Sequence, residues 1–87
     1  MYETFQLAAI REGESGYVTE LSASPAMELR LRDLGLVRGT RVTCVLQGPG
    51  GGLRAYLIRG ALIALRKGDA DGVRLERERP AAVRRAK

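Results

Sequence analysis

The sequence predicts a mainly β domain, a small and partly open antiparallel barrel of about five strands with one short helix. From residue 17 to residue 76, short segments of alternating apolar and polar residues are separated by turn residues. One segment alone has helical spacing, and the strand–helix–strand rhythm of a parallel sheet is missing. The 87 residues suffice for one domain, and so short a sheet has to curl to build a core and protect its edges.

The first predicted strand follows an apolar entry and a polar turn. Residues 5–10 are mostly apolar, and residues 11–16 contain two glycines that favour a turn. Residues 17–21 combine aromatic, β-branched and apolar side chains in alternation, which is typical of a strand. The domain is therefore expected to begin with an irregular segment that leads into this strand.

The clearest local prediction is a short helix at about residues 25–34. Ser24 is a good N-cap, and Pro25 stands at the first helical position, where its missing N–H costs nothing. Gly35 is expected to end the helix in the left-handed conformation, with Leu36 folded back onto the helix. An apolar stripe at helical spacing is predicted to face the core, and it consists of Met27, Leu31 and Leu34.

Leu29 lies outside this stripe, about 160° from Leu31 around the axis at about 100° per residue. Together with Ala26 and Arg30 it is a candidate partner contact, because an apolar residue beside an arginine can serve as an anchor with a polar rim. Single apolar side chains are common on surfaces. This interpretation is favoured because the chain contains few other residues that could form a functional site.

Four more strands are predicted after the helix, separated by glycine-bearing or polar turns. In the first of them Val42, Cys44 and Leu46 share one face, so Cys44 is interpreted as a small core residue rather than a nucleophile or ligand. Gly60 breaks the chain between two of the strands, and one helical turn is predicted near residues 69–71. The four strands cover residues 41–47, 53–59, 61–66 and 73–76.

The net charge of +5 is concentrated at the end of the chain. Residues 77–87 contain five basic residues and one acidic residue, which leaves the remainder near neutral. A folded domain is predicted for residues 1–78, followed by a frayed basic tail at residues 79–87. This tail is expected either to solubilise the chain or to touch an acidic partner or an anionic membrane surface.

The residue inventory argues against catalysis and firm metal binding. Histidine is absent and Cys44 is the single cysteine, so no His/Cys cluster or internal disulfide can form. Asp69 and Asp71 supply too few ligands for a strong metal site. The glycines at 48–52 lack the Lys-Ser/Thr and the helix of a phosphate-binding loop. We therefore expect no enzyme, no catalytic residue, no bound metal, no nucleotide site and no cofactor.

The sequence also bears on the location of the protein and on whether it binds nucleic acid. No apolar run reaches about 18 residues and no secretory leader is visible, so a cytoplasmic protein that is not inserted in a membrane is expected. RNA binding by a small barrel is an alternative, since arginines are scattered along the chain. With four aromatic residues for stacking, solvated surface charge is the preferred interpretation.

Three segments resemble the FeoA family, and they extend from about Leu7 to Leu75. Each segment alone is weak, whereas their order and spacing together are fairly specific. The long glycine run at 50–52 and the tail after Arg77 depart from the family. The segments are Leu7-x-x-Ile10-x-x-Gly13-x-x-Gly16-x-Val18, Leu29-x-Leu31-x-Asp33-Leu34-Gly35-Leu36-x-x-Gly39-x-x-Val42, and Gly60-x-x-Ile63-Ala64-Leu65-Arg66-x-x-x-Ala70.

The resemblance implies an SH3-like barrel and a small cytoplasmic accessory protein of bacterial ferrous-iron uptake. It implies protein–protein contact with FeoB, a membrane iron transporter with a cytoplasmic G-domain, by a monomer or weak oligomer. Related domains occur in metal-dependent repressors, so a regulatory or nucleic-acid-binding module is the alternative, although no helix-turn-helix precedes the domain. The residues expected to be structural are Leu31, Leu34, Gly35, Leu36, Gly39 and Gly60.

Overall fold

The computed structural model describes residues 4–77, which form a six-stranded antiparallel sheet with one helix of nine residues and several shorter turns. The predicted basic tail at residues 79–87 lies outside the described residues. The elements in chain order are β1 (Thr4–Gln6), a 3₁₀ turn (Leu7–Ala9), β2 (Ser15–Leu21), α1 (Pro25–Asp33), β3 (Arg41–Gln47), a second 3₁₀ turn (Pro49–Gly51), β4 (Leu53–Ile58), β5 (Ala61–Arg66), α2 (Lys67–Ala70) and β6 (Val73–Arg77).

The strand order is β1-β6-β2-β3-β4-β5, and every pairing is antiparallel. The mainly β class is thereby confirmed. The additional strand is β1, a three-residue segment that pairs with β6 and places Phe5 opposite Leu75. The sequence predicts an irregular entry here, because three residues are too few to show alternation. The sheet curls without closing, so β1 and β5 are its two edges.

The core lies on the inner side of the curled sheet. Tyr56 is its largest fully buried side chain, and its hydroxyl donates to the carbonyl of Leu7 at 3.3 Å. This bond satisfies the phenol inside the core and fixes the first 3₁₀ turn over one side of the sheet. Burial also raises the pKa of Tyr56 far above its ordinary value, so the hydroxyl remains a donor at neutral pH.

The helix begins and ends as its sequence predicts. The backbone N–H of Met27 donates to Ser24 Oγ at 3.3 Å, which caps the N-terminus. At the other end Gly35 has φ 101°, and the Leu36 N–H donates to the Leu31 carbonyl at 3.0 Å. A second bond, from the Gly35 N–H to the Arg32 carbonyl at 2.9 Å, completes a Schellman motif.

The residues of the predicted core stripe are buried to different degrees. Leu31 and Leu36 are fully buried, whereas Met27 and Leu34 are half-buried at the edge of the core. The helix therefore inserts Leu31 into the core as its central apolar side chain.

One face assignment was wrong. Val42 and Cys44 are fully buried as predicted, but Leu46 is 56% exposed. The register between β3 and β4 shifts between Cys44 and Leu46, so Val45 is an extra residue that forms a β-bulge. A bulge reverses the alternation beyond it, because two residues oppose one on the partner strand. Leu46 therefore points outward, opposite Ala55.

Arg77 belongs to the folded sheet, although sequence analysis counted its charge with the tail. Its Nη1 lies 2.7 Å from Glu14 Oε2, and its guanidinium carbon lies 4.4 Å from the ring centroid of Phe5. The backbone N–H of Arg11 donates to the Glu14 carboxylate and, with Arg77, holds the pKa of Glu14 below its ordinary value. Arg77 thus ties β6 to both β1 and the turn before β2.

Candidate interaction surfaces

Residues 4–77 contain no group of three or more His, Cys, Asp or Glu side chains placed to hold a metal ion. Cys44 is fully buried, and burial raises the pKa of its thiol, which disfavours the thiolate that metals and electrophiles need. Asp69 and Asp71 line a cavity of about 380 Å³ beside Ser24. Asp71 Oδ1 lies 3.5 Å from Lys67 Nζ, so this carboxylate already has a cationic partner.

We expect anaerobic Fe(II) titration and elemental analysis to find no one-to-one site of micromolar or tighter affinity. The two-carboxylate cavity lacks a third acidic ligand, and a lysine competes for Asp71. The double variant Asp69→Asn with Asp71→Asn is the matched control, because it removes both carboxylates and keeps their shape. Stoichiometric tight binding that the double variant abolishes would contradict the prediction.

The predicted contact residues lie on the outer side of α1, here called the helix surface (Ala26, Leu29 and Arg30). All three are exposed, and the side chain of Leu29 has 61% of its surface accessible. Glu28 and Arg32 form a 3.6 Å ion pair beside it, which gives the apolar anchor a charged margin. The geometry therefore provides the surface that helical periodicity predicted, and its partner remains a proposal.

A second apolar surface was not predicted. Register pairs place Leu57 between Thr43 and Leu62, and they place Ala55 between Leu46 and Ala64. These rows cross β3, β4 and β5 on the side opposite the core. We call this surface the outer sheet face, and it consists of Leu46, Leu53, Ala55, Leu57, Leu62 and Ala64.

A cavity of about 410 Å³ adjoins one end of the outer sheet face. It is lined by Leu57 from the face itself and by Arg59 from the β4–β5 turn. Arg59 has φ 52° and the following Gly60 has φ 84°, so both turn residues are in the left-handed region. The remaining lining residues are Thr40, Arg41, Thr43 and Gly60. The cavity thus combines guanidinium groups and hydroxyls next to an apolar surface.

A sequence signal for this region exists and was overlooked. Residues 34–68 contain no Asp or Glu, although they contain six Arg and Lys residues. Scattered arginines alone indicate solvated charge, whereas the absence of acidic residues between them indicates a basic segment. This segment forms β3, β4 and β5, so one half of the domain has a basic character.

Among the described residues, no helix is long and apolar enough to cross a membrane.

Comparison with known proteins identifies relatives that match nearly all of the described residues. Residues 5–77 match the model of the FeoA domain family. The FeoA protein from Chlorobium tepidum is 28% identical with a TM-score of 0.79, and the match covers 95% of this chain and 88% of that one. No curated protein matches the sequence.

Two further solved structures show how widely the fold is used. Stenotrophomonas maltophilia FeoA, solved with zinc and described as a prokaryotic SH3 domain protein, is 30% identical with a TM-score of 0.72 over 90% of this chain and 92% of that one. A manganese-dependent transcriptional repressor is 23% identical with a TM-score of 0.81. The latter match covers 90% of this chain but 44% of the repressor, and it shows the shared fold alone.

Proposed function

This chain belongs to the FeoA domain family, and we propose from this premise that it is a cytoplasmic accessory protein that binds a FeoB-type ferrous-iron transporter. Membership of the family gives the chain a role in ferrous iron transport. The family consists of small accessory domains, and the SH3-like fold of this chain is shared with its solved members. The proposal adds the location, the partner and a mode of action by contact.

The observation that carries the proposal is the helix surface. Leu29 is 61% exposed on a helix whose inner side already supplies Leu31 to the core. An exposed leucine between a small residue and an arginine can enter a pocket on a partner while the arginine remains at the rim. Within residues 4–77 no group of three or more His, Cys, Asp or Glu side chains is placed to hold a metal ion.

A regulatory or nucleic-acid-binding module is the second candidate, and the acid-free segment at residues 34–68 is the observation that favours it. Binding to phosphates would weaken steeply with salt, because counterions are released on association. Fluorescence anisotropy with a labelled single-stranded oligonucleotide at two salt concentrations distinguishes the candidates. The accessory-protein proposal expects no oligonucleotide binding at physiological salt.

The double variant Leu29→Glu with Arg30→Glu is expected to fold normally and to lose iron uptake. Both side chains are exposed, so their replacement leaves the core intact. The introduced carboxylates abolish the apolar anchor and invert the charge at its rim. Circular dichroism verifies the fold, and growth of a strain that lacks the chromosomal copy, on ferrous iron, measures uptake.

The matched control is Ala9→Glu with Arg11→Glu, which makes the same change in net charge at two exposed positions outside the helix. This control is expected to support uptake. If the helix variant is folded and also supports normal uptake, the helix surface is not the contact. If it unfolds, Leu29 contributes to the core.

A further inference from the structure

We propose that the outer sheet face binds an amphipathic helix that carries acidic side chains, presented by a partner protein. The inference rests on the proposed function in one respect, namely that the chain acts by contact with a protein. It adds a surface distinct from the helix surface and assigns the chemistry of the segment that occupies it.

Exposed leucines are concentrated on the outer sheet face. Seven large apolar side chains are exposed among the described residues, and four of them belong to the outer sheet face. The bulge at Val45 turns Leu46 away from the core and adds it to this face. Isolated apolar side chains are ordinary on a surface, whereas a contiguous patch marks an interaction site. The four are Leu46, Leu53, Leu57 and Leu62.

The dimensions of the face suit a helix. Three adjacent strands span about 10 Å between the outer two, since neighbouring strands lie about 4.8 Å apart, and a helix with side chains is about 10 Å wide. The six residues of β4 extend about 20 Å at about 3.3 Å per residue. A helix of about 13 residues has this length at 1.5 Å per residue.

The charges around the face specify an acidic partner. Arg66 stands opposite Leu53 at one end of the rows, and Arg59 lines the cavity at the other end. Neither forms an ion pair with a residue in the described range 4–77. No acidic residue occurs between positions 34 and 68 to neutralise them. Guanidinium groups bind carboxylates through paired hydrogen bonds, so acidic residues at both ends of a bound helix would be complementary.

The backbone at Arg59 supports a role in binding. Arg59 is the non-glycine residue with positive φ among the described residues, in a two-residue hairpin turn with Gly60. Asn-Gly is strongly preferred in such a turn, because asparagine tolerates the left-handed region better than arginine. A strained residue at a surface points to a functional constraint on its side chain. We attribute that constraint to the side chain of Arg59, which lines the cavity.

Three other occupants fit less well. A second copy packed face to face would bring Arg59 and Arg66 against further cations of the same segment. An anionic membrane favours interfacial aromatic side chains beside the basic residues, and the leucine and alanine rows contain none. A nucleic acid would gain little from leucines, because it binds through phosphates and stacked aromatics.

The first experiment uses the full chain and a synthetic helical peptide of about 14 residues, the length that spans the face at 1.5 Å per residue. Its leucines follow a spacing of three and four residues, and its remaining positions include glutamates near both ends. The matched control peptide has lysine in place of every glutamate. Isothermal titration gives the affinities, and amide chemical shifts locate the contact. We expect the acidic peptide to bind at least about ten-fold more tightly, with the shifts on β3–β5.

Two variants then separate binding from stability. Arg59→Asn places the preferred residue in the turn, so we expect the melting temperature to be unchanged or higher while the peptide affinity falls about five-fold or more. Leu62→Glu, at a position 63% exposed, is expected to fold normally and to lose the peptide. Ala9→Glu introduces the same charge at an exposed position of the first 3₁₀ turn and is expected to bind like the unaltered chain.

Several results would overturn the inference. Equal affinity for the acidic and basic peptides removes the charge argument, and shifts on α1 place the contact elsewhere. The face has another occupant if the chain sediments with vesicles of phosphatidylglycerol. The same follows if Arg59→Asn abolishes binding to an oligonucleotide, or if Leu62→Glu abolishes dimerisation of the chain.

The uptake assay separates this inference from the proposed function. If Leu62→Glu loses both the peptide and iron uptake, the face serves the proposed function. If Leu62→Glu loses the peptide but supports normal uptake, the face is not the transport contact and the inference fails while the proposed function remains. If removal of the whole chain leaves uptake unchanged, the proposed function itself fails.

Discussion

Replacement of Leu31 by alanine is expected to lower the free energy of unfolding by about 2–5 kcal/mol, the usual cost of truncating a buried leucine to alanine. Leu31 has no exposed surface and is the fully buried residue of α1. Its carbonyl also accepts the Leu36 N–H that closes the helix. A domain of this size has a small core, so a cavity in it removes a large share of the total stability.

Leu29→Ala provides a matched comparison on the same helix. The two leucines are two positions apart and undergo the same chemical change, but Leu29 is 61% exposed. We expect Leu29→Ala to change the free energy of unfolding by less than about 0.5 kcal/mol, as is typical of surface substitutions. Urea denaturation followed by circular dichroism measures both. Similar midpoints for the two variants would contradict the orientation of α1 in the structure.

The helix could be predicted from the sequence because each of its signals is local. An N-cap, a proline at the first position and a terminal glycine act within a few residues of the chain. The observed capping bonds of Ser24 and Leu36 are of this kind. The mainly β class and the curled sheet were predictable for a similar reason, since alternation over five or six residues depends on the strand itself.

The outer sheet face could not be predicted, because it depends on pairing between strands. Alternation correctly predicted that Cys44 faces the core, but it wrongly predicted the same for Leu46. The sequence of β3 contains no residue that indicates the bulge at Val45. Bulges are fixed by the partner strand and by the packing of both faces. The short β1 was also missed, because its pairing with β6 joins residues about seventy positions apart.

The charge pattern could be predicted only in part from the sequence. The sequence shows that residues 34–68 contain no Asp or Glu. Whether this absence creates a basic surface depends on which side chains lie on the same face of the fold. Register places Arg66 beside Leu53, and the β4–β5 turn places Arg59 at the opposite end of the same face. A list of arginines therefore indicates solvated charge, whereas their arrangement around exposed leucines indicates a binding surface.

Replacement of Gly35 by alanine is expected to be the most damaging of the glycine substitutions at the helix end and the turn that follows it. Gly35 has φ 101°, and a Cβ there would lie 2.7 Å from Arg59 Cδ, so the new methyl group meets backbone strain and also forces the exposed Arg59 side chain to shift. Backbone strain of this kind costs about 1–3 kcal/mol, and displacement of the exposed Arg59 side chain adds a smaller cost to it.

Gly39→Ala is the control that separates these two contributions. Gly39 has φ 90°, but nothing lies within 4 Å of a Cβ built on it. It should therefore show the cost of backbone strain alone, about 1–3 kcal/mol, and Gly35→Ala should exceed it. Combining Gly35→Ala with Arg59→Ala removes the contacting side chain and should recover the difference, because Arg59 Cδ is the closest atom to the new methyl group. Equal melting temperatures for Gly35→Ala and Gly39→Ala would contradict the prediction and show that the exposed Arg59 side chain moves aside freely.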